Sequence, residues 1–388
     1  MKEIGIYIHI PFCKSKCIYC DFNSFDNKNE LIEKYIKCLK KEIQDIGNRI
    51  RLKSNGDYAN LPVAKTIYIG GGTPSYISEN YISEILKTIE INFDIKKDCE
   101  ITIEVNPGTV TLEKMKKYRE IGINRISIGL QSANDRLLKI LGRIHNYEQF
   151  LQTVNLAKLA GIDNISADII IGLPNQTIYD VEDTVNKLIE LNLNHISVYS
   201  LIVEPNTKLE EKVNNGVLEL PDDETERYMY WYTKRKLEEN GYIHYEISNF
   251  AKPPFRSKHN LSYWNQEEYI GLGLSASSYE NNIRYKNIDD LEKYIENISN
   301  DNIAKNTIIE EKQSKEDKMK EYMILGLRKI NGINITEFRR KFNVSPLYLF
   351  NKELTKLVRE DLIRIDINNI RLSKKGLDLA NIVWEEFI

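Results

Sequence analysis

Tyr7-Ile-His-Ile-Pro-Phe-Cys-Lys-Ser-Lys-Cys-Ile-Tyr-Cys-Asp-Phe22 holds three of the chain's five cysteines, Cys13, Cys17 and Cys20, within eight residues, spaced C-x3-C-x2-C. Three closely spaced thiolates can bind a soft metal, and thiolate sulfur is the usual ligand of iron–sulfur clusters. A closed zinc site takes four ligands, usually in two separated pairs. No second C-x2-C or H-x3-H pair occurs: the five histidines (His9, His145, His195, His244, His259) lie far apart, and Cys38 and Cys99 are isolated. Three ligands for a centre that takes four fit a [4Fe-4S] cluster whose fourth iron is left for a substrate or cofactor. The competing readings are a disulfide plus a free thiol, or buried cysteines grouped by chance. A cysteine-poor chain that opens without a signal-like segment points instead to a reducing, intracellular setting.

Outward from this loop, short β-branched runs recur, each followed by a polar turn and a helical pattern, as in repeated βα units on a parallel sheet. The runs are Ile4–Ile10, Lys65–Ile69, Glu100–Val105, Arg125–Leu130, Ile165–Ile171 and His195–Leu201. Helices are expected over Glu30–Ile50 and Asp180–Leu193, where apolar residues fall at helical spacing. A doubly wound sheet and a barrel both remain open on this pattern alone, and the unusual residues decide between them. The cysteine loop follows the first run, Gly70-Gly-Gly-Thr-Pro74 the second, and Glu104-Val-Asn-Pro-Gly108 ends the third. Gln131-Ser132 ends the fourth, while Asp168 lies in the fifth and Gly172-Leu-Pro174 ends it. Polar and glycine-rich residues at the C-terminal ends of successive strands imply one shared mouth, as in a TIM-type barrel. A doubly wound sheet would gather its ligand groups at a single switch point.

After Leu201 the character changes. A helix is expected from the N-cap Asp222 to Glu239, and Ser257–Ser278 is aromatic, glycine-bearing and irregular, suited to folding over a ligand. Ser299–Asp317 reads as a polar linker. The last segment is helical and ends in a hairpin about Asn368-Asn369. The expected organisation is a partial (β/α)6 barrel over 1–205, a ligand-covering α+β extension over 206–300 and a small winged-helix-like domain over 301–388.

Across 388 residues, 54 basic side chains oppose 57 acidic ones, a formal charge of -3. No global field draws nucleic acid or an anionic membrane, so any anion is met locally. Charges of both signs are interspersed through the C-terminal segment, which favours packing on the barrel over DNA binding. No apolar run approaches the about 18 residues of a membrane span, and a cytoplasmic protein is expected.

Several features together carry a resemblance. C-x3-C-x2-C with an aromatic residue, Tyr19, before its last cysteine resembles the radical S-adenosylmethionine (SAM) superfamily. The lead-in YIHIPFC (7–13) and follow-on CDFNS (20–24) resemble its coproporphyrinogen III oxidase-like branch, and within that branch the haem chaperones. The resemblance implies the radical SAM partial barrel, a [4Fe-4S] cluster on Cys13, Cys17 and Cys20, and SAM bound by Tyr7, Tyr19, Gly71, Gly72, Thr73, Glu104, Gln131, Arg143 and Asp168. It further implies haem as cargo at the H-N-x-x-Y-W motif, with His259 as axial ligand and Tyr263 and Trp264 over the porphyrin face. On its residues alone, His259 reads rather as a hydrogen-bonded histidine in an aromatic core, and it is the resemblance that reverses this. The implied partners are haem and client haemoproteins, membrane-associated or not, and the chain a monomer or weak dimer. Where the branch often has Gly-Ala-His-Ser, this chain has Ser275-Ala-Ser-Ser278, without the histidine. Oxygen-independent coproporphyrinogen III oxidases usually carry another cysteine two residues after the third, and Phe22 stands there here. That departure favours a haem chaperone over the alternative, oxidative decarboxylation of coproporphyrinogen III, and leaves catalytic residues and SAM cleavage unassigned. A winged-helix regulator with a sensory cluster is the non-haem alternative.

Overall fold

The computed structural model describes residues 2–53 and 62–388. Six parallel strands form its centre: β1 (Glu3–Ile10), β2 (Val63–Gly71), β3 (Asp94–Val105), β4 (Arg125–Gln131), β5 (Asn164–Ile171) and β6 (His195–Ser200). Each pairs in parallel with the next in chain order. That unreversed order is the winding of a barrel wall, whereas doubly wound sheets reverse at a switch point. The strands are rich in isoleucine and buried on both faces, as parallel strands sandwiched between layers must be; Ile6, Ile8, Ile67, Ile69, Ile103, Ile126 and Ile128 are fully buried.

The crossovers carry α1 (Ile32–Lys53), α2 (Glu79–Asn92), α3 (Leu112–Glu120), α4 (Asp135–Ile140), α5 (Tyr147–Leu159) and α6 (Ile178–Glu190). Helix α6 starts ahead of the expected Asp180 because Thr177 caps it, its hydroxyl accepting from the Asp180 N–H while the Asp180 carboxylate accepts from the Thr177 N–H. Beyond α7 (Lys208–Asn214), α8 (Asp223–Glu239) begins at the expected cap, Asp222, which accepts from the Thr225 N–H at 2.7 Å.

The extension continues the same sheet on both flanks. β7 (Ile243–Glu246) and β8 (Asn249–Ala251) add antiparallel strands outside β6, and α9 (Lys258–Trp264) leads to β9 (Tyr269–Leu272), which pairs in parallel with β1. β10 (Ser277–Glu280), β11 (Ile283–Asn287) and, after α10 (Leu291–Ser299), β12 (Thr307–Lys312) extend that flank, so the sheet has twelve strands in the order β12-β11-β10-β9-β1-β2-β3-β4-β5-β6-β8-β7. Two expectations are corrected here. The irregular stretch after His259 forms the sheet strands β9 and β10. The polar linker over Ser299–Asp317 contains β12, which pairs with β11 along nearly its whole length. Nearly all its side chains are exposed, so the strand is held by backbone hydrogen bonds that composition does not report.

One apolar core runs from Ile4 through Leu272, Leu274, Tyr294 and Ile298, and a second lies wholly within Met319–Phe387. The second core is built by α11 (Lys315–Gly326), β13 (Ile333–Asn334), α12 (Ile335–Phe342), α13 (Pro346–Leu349), α14 (Asn351–Arg359), the hairpin β14 (Ile363–Ile365) and β15 (Asn369–Leu372), and the terminal helices α15 (Lys374–Asp378) and α16 (Ala380–Glu385). β13, β15 and β14 form a three-stranded antiparallel sheet. Backbone hydrogen bonds from Ile247 to Arg328 and from Ile330 to Tyr245 join the two cores. The Arg328 guanidinium lies over two indoles there, 4.3 Å from the Trp264 centroid and 4.8 Å from that of Trp384. No helix of the described residues is long and apolar enough to cross a membrane.

Candidate functional site

The C-terminal ends of the central strands open into one cavity of about 340 Å³. Cys13, Cys17, Cys20 and Tyr19 line it from the loop after β1, and Gly71, Gly72 and Thr73 from the turn after β2. Glu104, Gln131 and Asp168 line it from β3, β4 and β5, and Arg143 from the loop after α4. Of the residues expected at a SAM site, only Tyr7 stays outside. It lies behind the wall, its hydroxyl 3.0 Å from His9 Nδ1 and its ring stacked on Tyr68.

The cysteine loop is braced from several directions. The N–H of Cys13 donates to Phe25 O, that of Ile18 to Leu141 O and that of Thr73 to Phe12 O. The Lys16 ammonium donates to Phe22 O at 3.0 Å. All three thiols are free. Burial pushes the Cys13 and Cys20 thiols up, partly countered at Cys13 by the Thr73 hydroxyl, which donates to its sulfur at 3.5 Å. Arg143 reaches Cys17 Sγ with one terminal nitrogen at 3.6 Å and the Gly129 carbonyl with the other at 2.7 Å.

Glu104 accepts from the Tyr68 hydroxyl at 2.8 Å and from the Gly71 N–H at 3.2 Å. Burial, reinforced by Asp168, still pushes its carboxyl up to about 7. Asp168 accepts from Ser127 Oγ at 2.9 Å, and burial raises its pKa as well. Gln131 ends β4 at a positive φ of 69°, next to a register shift that turns its side chain into the cavity.

Two glycines are required by space. Gly71 has φ 117°, and a Cβ there would meet the His9 ring at 2.7 Å. At Gly72 a Cβ would meet Cys13 Sγ and the Phe12 carbonyl oxygen, both at 2.9 Å. The side-chain-free backbone thus comes up close against the thiols and Glu104, its N–H groups held by Glu104 at Gly71, by Ile10 O at Gly72 and by Phe12 O at Thr73. Among the described residues no three His, Cys, Asp or Glu side chains converge on a single-ion site, and the three thiols line the open cavity. Three soft donors around an open space, with the buried Arg143 Nε still lacking a partner, fit a multi-iron cluster and an anionic cofactor group beside it.

The residues assigned to haem lie elsewhere in the structure. His259 stands on α9 at the opposite, N-terminal end of the strands, where Glu100 accepts its backbone N–H at 3.0 Å. The imidazole is buried, with Nδ1 2.8 Å from Thr66 Oγ1 and Nε2 2.8 Å from the Tyr263 hydroxyl. Both ring nitrogens are engaged, so neither is presented to an iron, and Tyr68 lies between the ring and the cavity. Tyr263 packs edge-on against Tyr269 and Trp264 faces Arg328, so neither covers a ligand face.

Further residues lining the cavity were not singled out from the sequence: Tyr68, Asn106, Ser127, Tyr199 and Ile202. Most follow the strand period, since Tyr68 shares a face with Gly70, Ser127 with Gly129 and Gln131, and Asn106 follows Glu104 by two. Reading strand parity back from the motif residues would have found them.

Residues 7–188 match the family described as the Radical SAM superfamily, and residues 313–379 the HemN C-terminal domain. The chain is 38% identical over 387 residues to the heme chaperone HemW of Lactococcus lactis, covering 100% of this chain and 98% of that one. Against the heme chaperone HemW of Bacillus subtilis it is 36% identical over 383 residues, covering 98% of each. The solved structure of coproporphyrinogen III oxidase (HemN) from Escherichia coli superposes with a TM-score of 0.86 at 23% identity, over 100% of this chain and 90% of that one, a likeness of fold.

Proposed function

Because this chain belongs to the HemW haem chaperone family of the radical SAM superfamily, we propose that it binds a [4Fe-4S] cluster, SAM and haem, and passes haem to client haemoproteins. The observation that carries the reading is that the three free thiols, the bare Gly71–Gly72 turn, Glu104, Gln131, Arg143 and Asp168 line one cavity.

Cys13, Cys17 and Cys20 would hold the cluster, with Arg143 and Thr73 donating to two of its sulfurs. Bound there, a three-cysteine cluster supplies a one-electron redox centre with one iron left for a ligand. Glu104 would meet the amino group of SAM, while Asp168 and Gln131 offer hydrogen bonds to ribose hydroxyls. Haem enters as cargo. On the rim of the same cavity Phe22 is 62% exposed and Ile202 67% exposed, and these apolar side chains suit a porphyrin face better than the enclosed His259 does.

The test is anaerobic reconstitution followed by iron and sulfide analysis, EPR of the reduced protein with and without SAM, and incubation with haem and with coproporphyrinogen III in parallel. The reading expects a cluster lost in the Cys13, Cys17, Cys20→Ala triple variant and an EPR signal perturbed by SAM. It also expects a Soret band that survives gel filtration and moves to an apo-haemoprotein acceptor. Sustained protoporphyrinogen formation would replace it with the decarboxylase reading, which Phe22 weighs against.

A further inference from the structure

Asn106 carries no thiol and no charge, yet its side chain holds two groups that donate to cysteine sulfurs, Arg143 and Thr73. Its Oδ1 accepts from Arg143 Nη2 at 2.8 Å, and its Nδ2 donates to Thr73 Oγ1 at 2.8 Å. A guanidinium has only donors, so the amide can face Arg143 in one orientation alone. The backbone N–H of Asn106 donates to Ser75 Oγ at 3.0 Å, which pins the residue to the turn after β2. Because Thr73 Oγ1 accepts from Asn106, its single proton is left for Cys13 Sγ, 3.5 Å away. Arg143, whose Nη2 also donates to the Gly129 carbonyl, keeps Nη1 at 3.6 Å from Cys17 Sγ.

We propose that Asn106 is a positioning residue that sets the hydrogen bonding of two of the three cluster thiolates and, through it, the reduction potential of the cluster. The proposal rests on the reading that Cys13, Cys17 and Cys20 hold a cluster. Hydrogen bonds to thiolate sulfur stabilise the more negative, reduced state, so each lost donor moves the potential down. Asn106→Asp isolates one arm. An aspartate of the same shape still accepts from Arg143 but has no proton to give Thr73. It accepts the Thr73 hydroxyl's hydrogen bond instead, and Cys13 loses the Thr73 donor. The added charge also lowers the potential, and Thr73→Val separates the two effects, because it removes the Thr73 donor to Cys13 without adding charge.

The experiment uses the full chain, anaerobically reconstituted, with iron and sulfide measured first and the midpoint potential then followed by EPR-monitored redox titration. Asn106→Asp and Thr73→Val should each lower the potential, Asn106→Asp by a tenfold weaker reduction equilibrium or more, about 59 mV for one electron. In the Thr73→Val background, Asn106→Asp should cause a smaller shift than in the wild type, since the Thr73 donor to Cys13 is already gone. An equal shift in both backgrounds means charge alone is at work and overturns the proposal, as does an unchanged potential. If Asn106→Asp takes up no iron, Thr73→Val alone decides: a wild-type potential there removes the bond on which the proposal stands. A wild-type protein that takes up no cluster overturns the cofactor reading itself, an outcome separate from the others.

Discussion

The ring of Tyr68 lies stacked on the imidazole of His259, 5.1 Å between centroids and 24° between planes. The Tyr68 hydroxyl donates in the other direction to Glu104. One side chain is therefore both the floor of the cavity and the roof of an aromatic core beneath it. His259 belongs to that core, and burial pushes its pKa down to about 3, so it stays neutral and hydrogen-bonded at physiological pH.

Replacing His259 with Ala removes a buried ring and leaves Thr66 and Tyr263 without their shared partner. The expected cost is about 3 kcal/mol of stability, read by urea denaturation. Haem uptake per folded molecule should stay near that of the wild type. A variant that keeps its stability but loses the Soret band would restore His259 as the ligand.

Glu104 predicts how SAM binding depends on pH. Its carboxyl titrates near 7, raised by burial, so it is mostly neutral at pH 6 and mostly ionised at pH 8. Only the ionised form accepts fully from a ligand amino group. Affinity for SAM should rise about tenfold between those values, followed by calorimetry on the reconstituted protein. Glu104→Gln should bind more weakly and without this pH dependence.

At Gly72 the obstruction is atomic. An added methyl would meet Cys13 Sγ and the Phe12 carbonyl oxygen at 2.9 Å, and the backbone atom cannot turn aside. Gly72→Ala should fold, as judged by circular dichroism, yet retain only a minor share of the wild-type iron after reconstitution. Full iron content would show that the turn yields more readily than its packing suggests.

The six central strands and their common mouth were legible because alternation and β-branched runs report burial, and because the cysteine and glycine motifs fall at strand ends. What stayed hidden depended on backbone pairing or on depth. Almost all of β12 points its side chains into solvent, so composition made it a linker. His259 carries a motif suited to a ligand, and nothing in its spacing reveals that Thr66 and Tyr263 occupy both nitrogens. Asn106 has no chemistry of its own to announce it, and its role comes from the two neighbours it joins across strands.

The junction between the two cores supplies a last prediction. Glu246 is buried beside Arg328, with Oε1 unpartnered, and burial pushes its carboxyl up to about 7 even though the guanidinium pulls the other way. The folded chain thus keeps a proton on Glu246 up to about pH 7, whereas the unfolded chain releases it near its ordinary value of 4.5. Between those values the folded state binds more protons, so this group's contribution to stability falls as pH rises and is fully lost above about 7. The ceiling is about 3 kcal/mol. Glu246→Gln keeps the volume and removes the titration. Urea denaturation at pH 5 and pH 8 should therefore show a smaller loss of stability with rising pH in the variant than in the wild type. Equal losses would mean that Arg328, held between Trp264 and Trp384, already keeps Glu246 ionised as an ion pair.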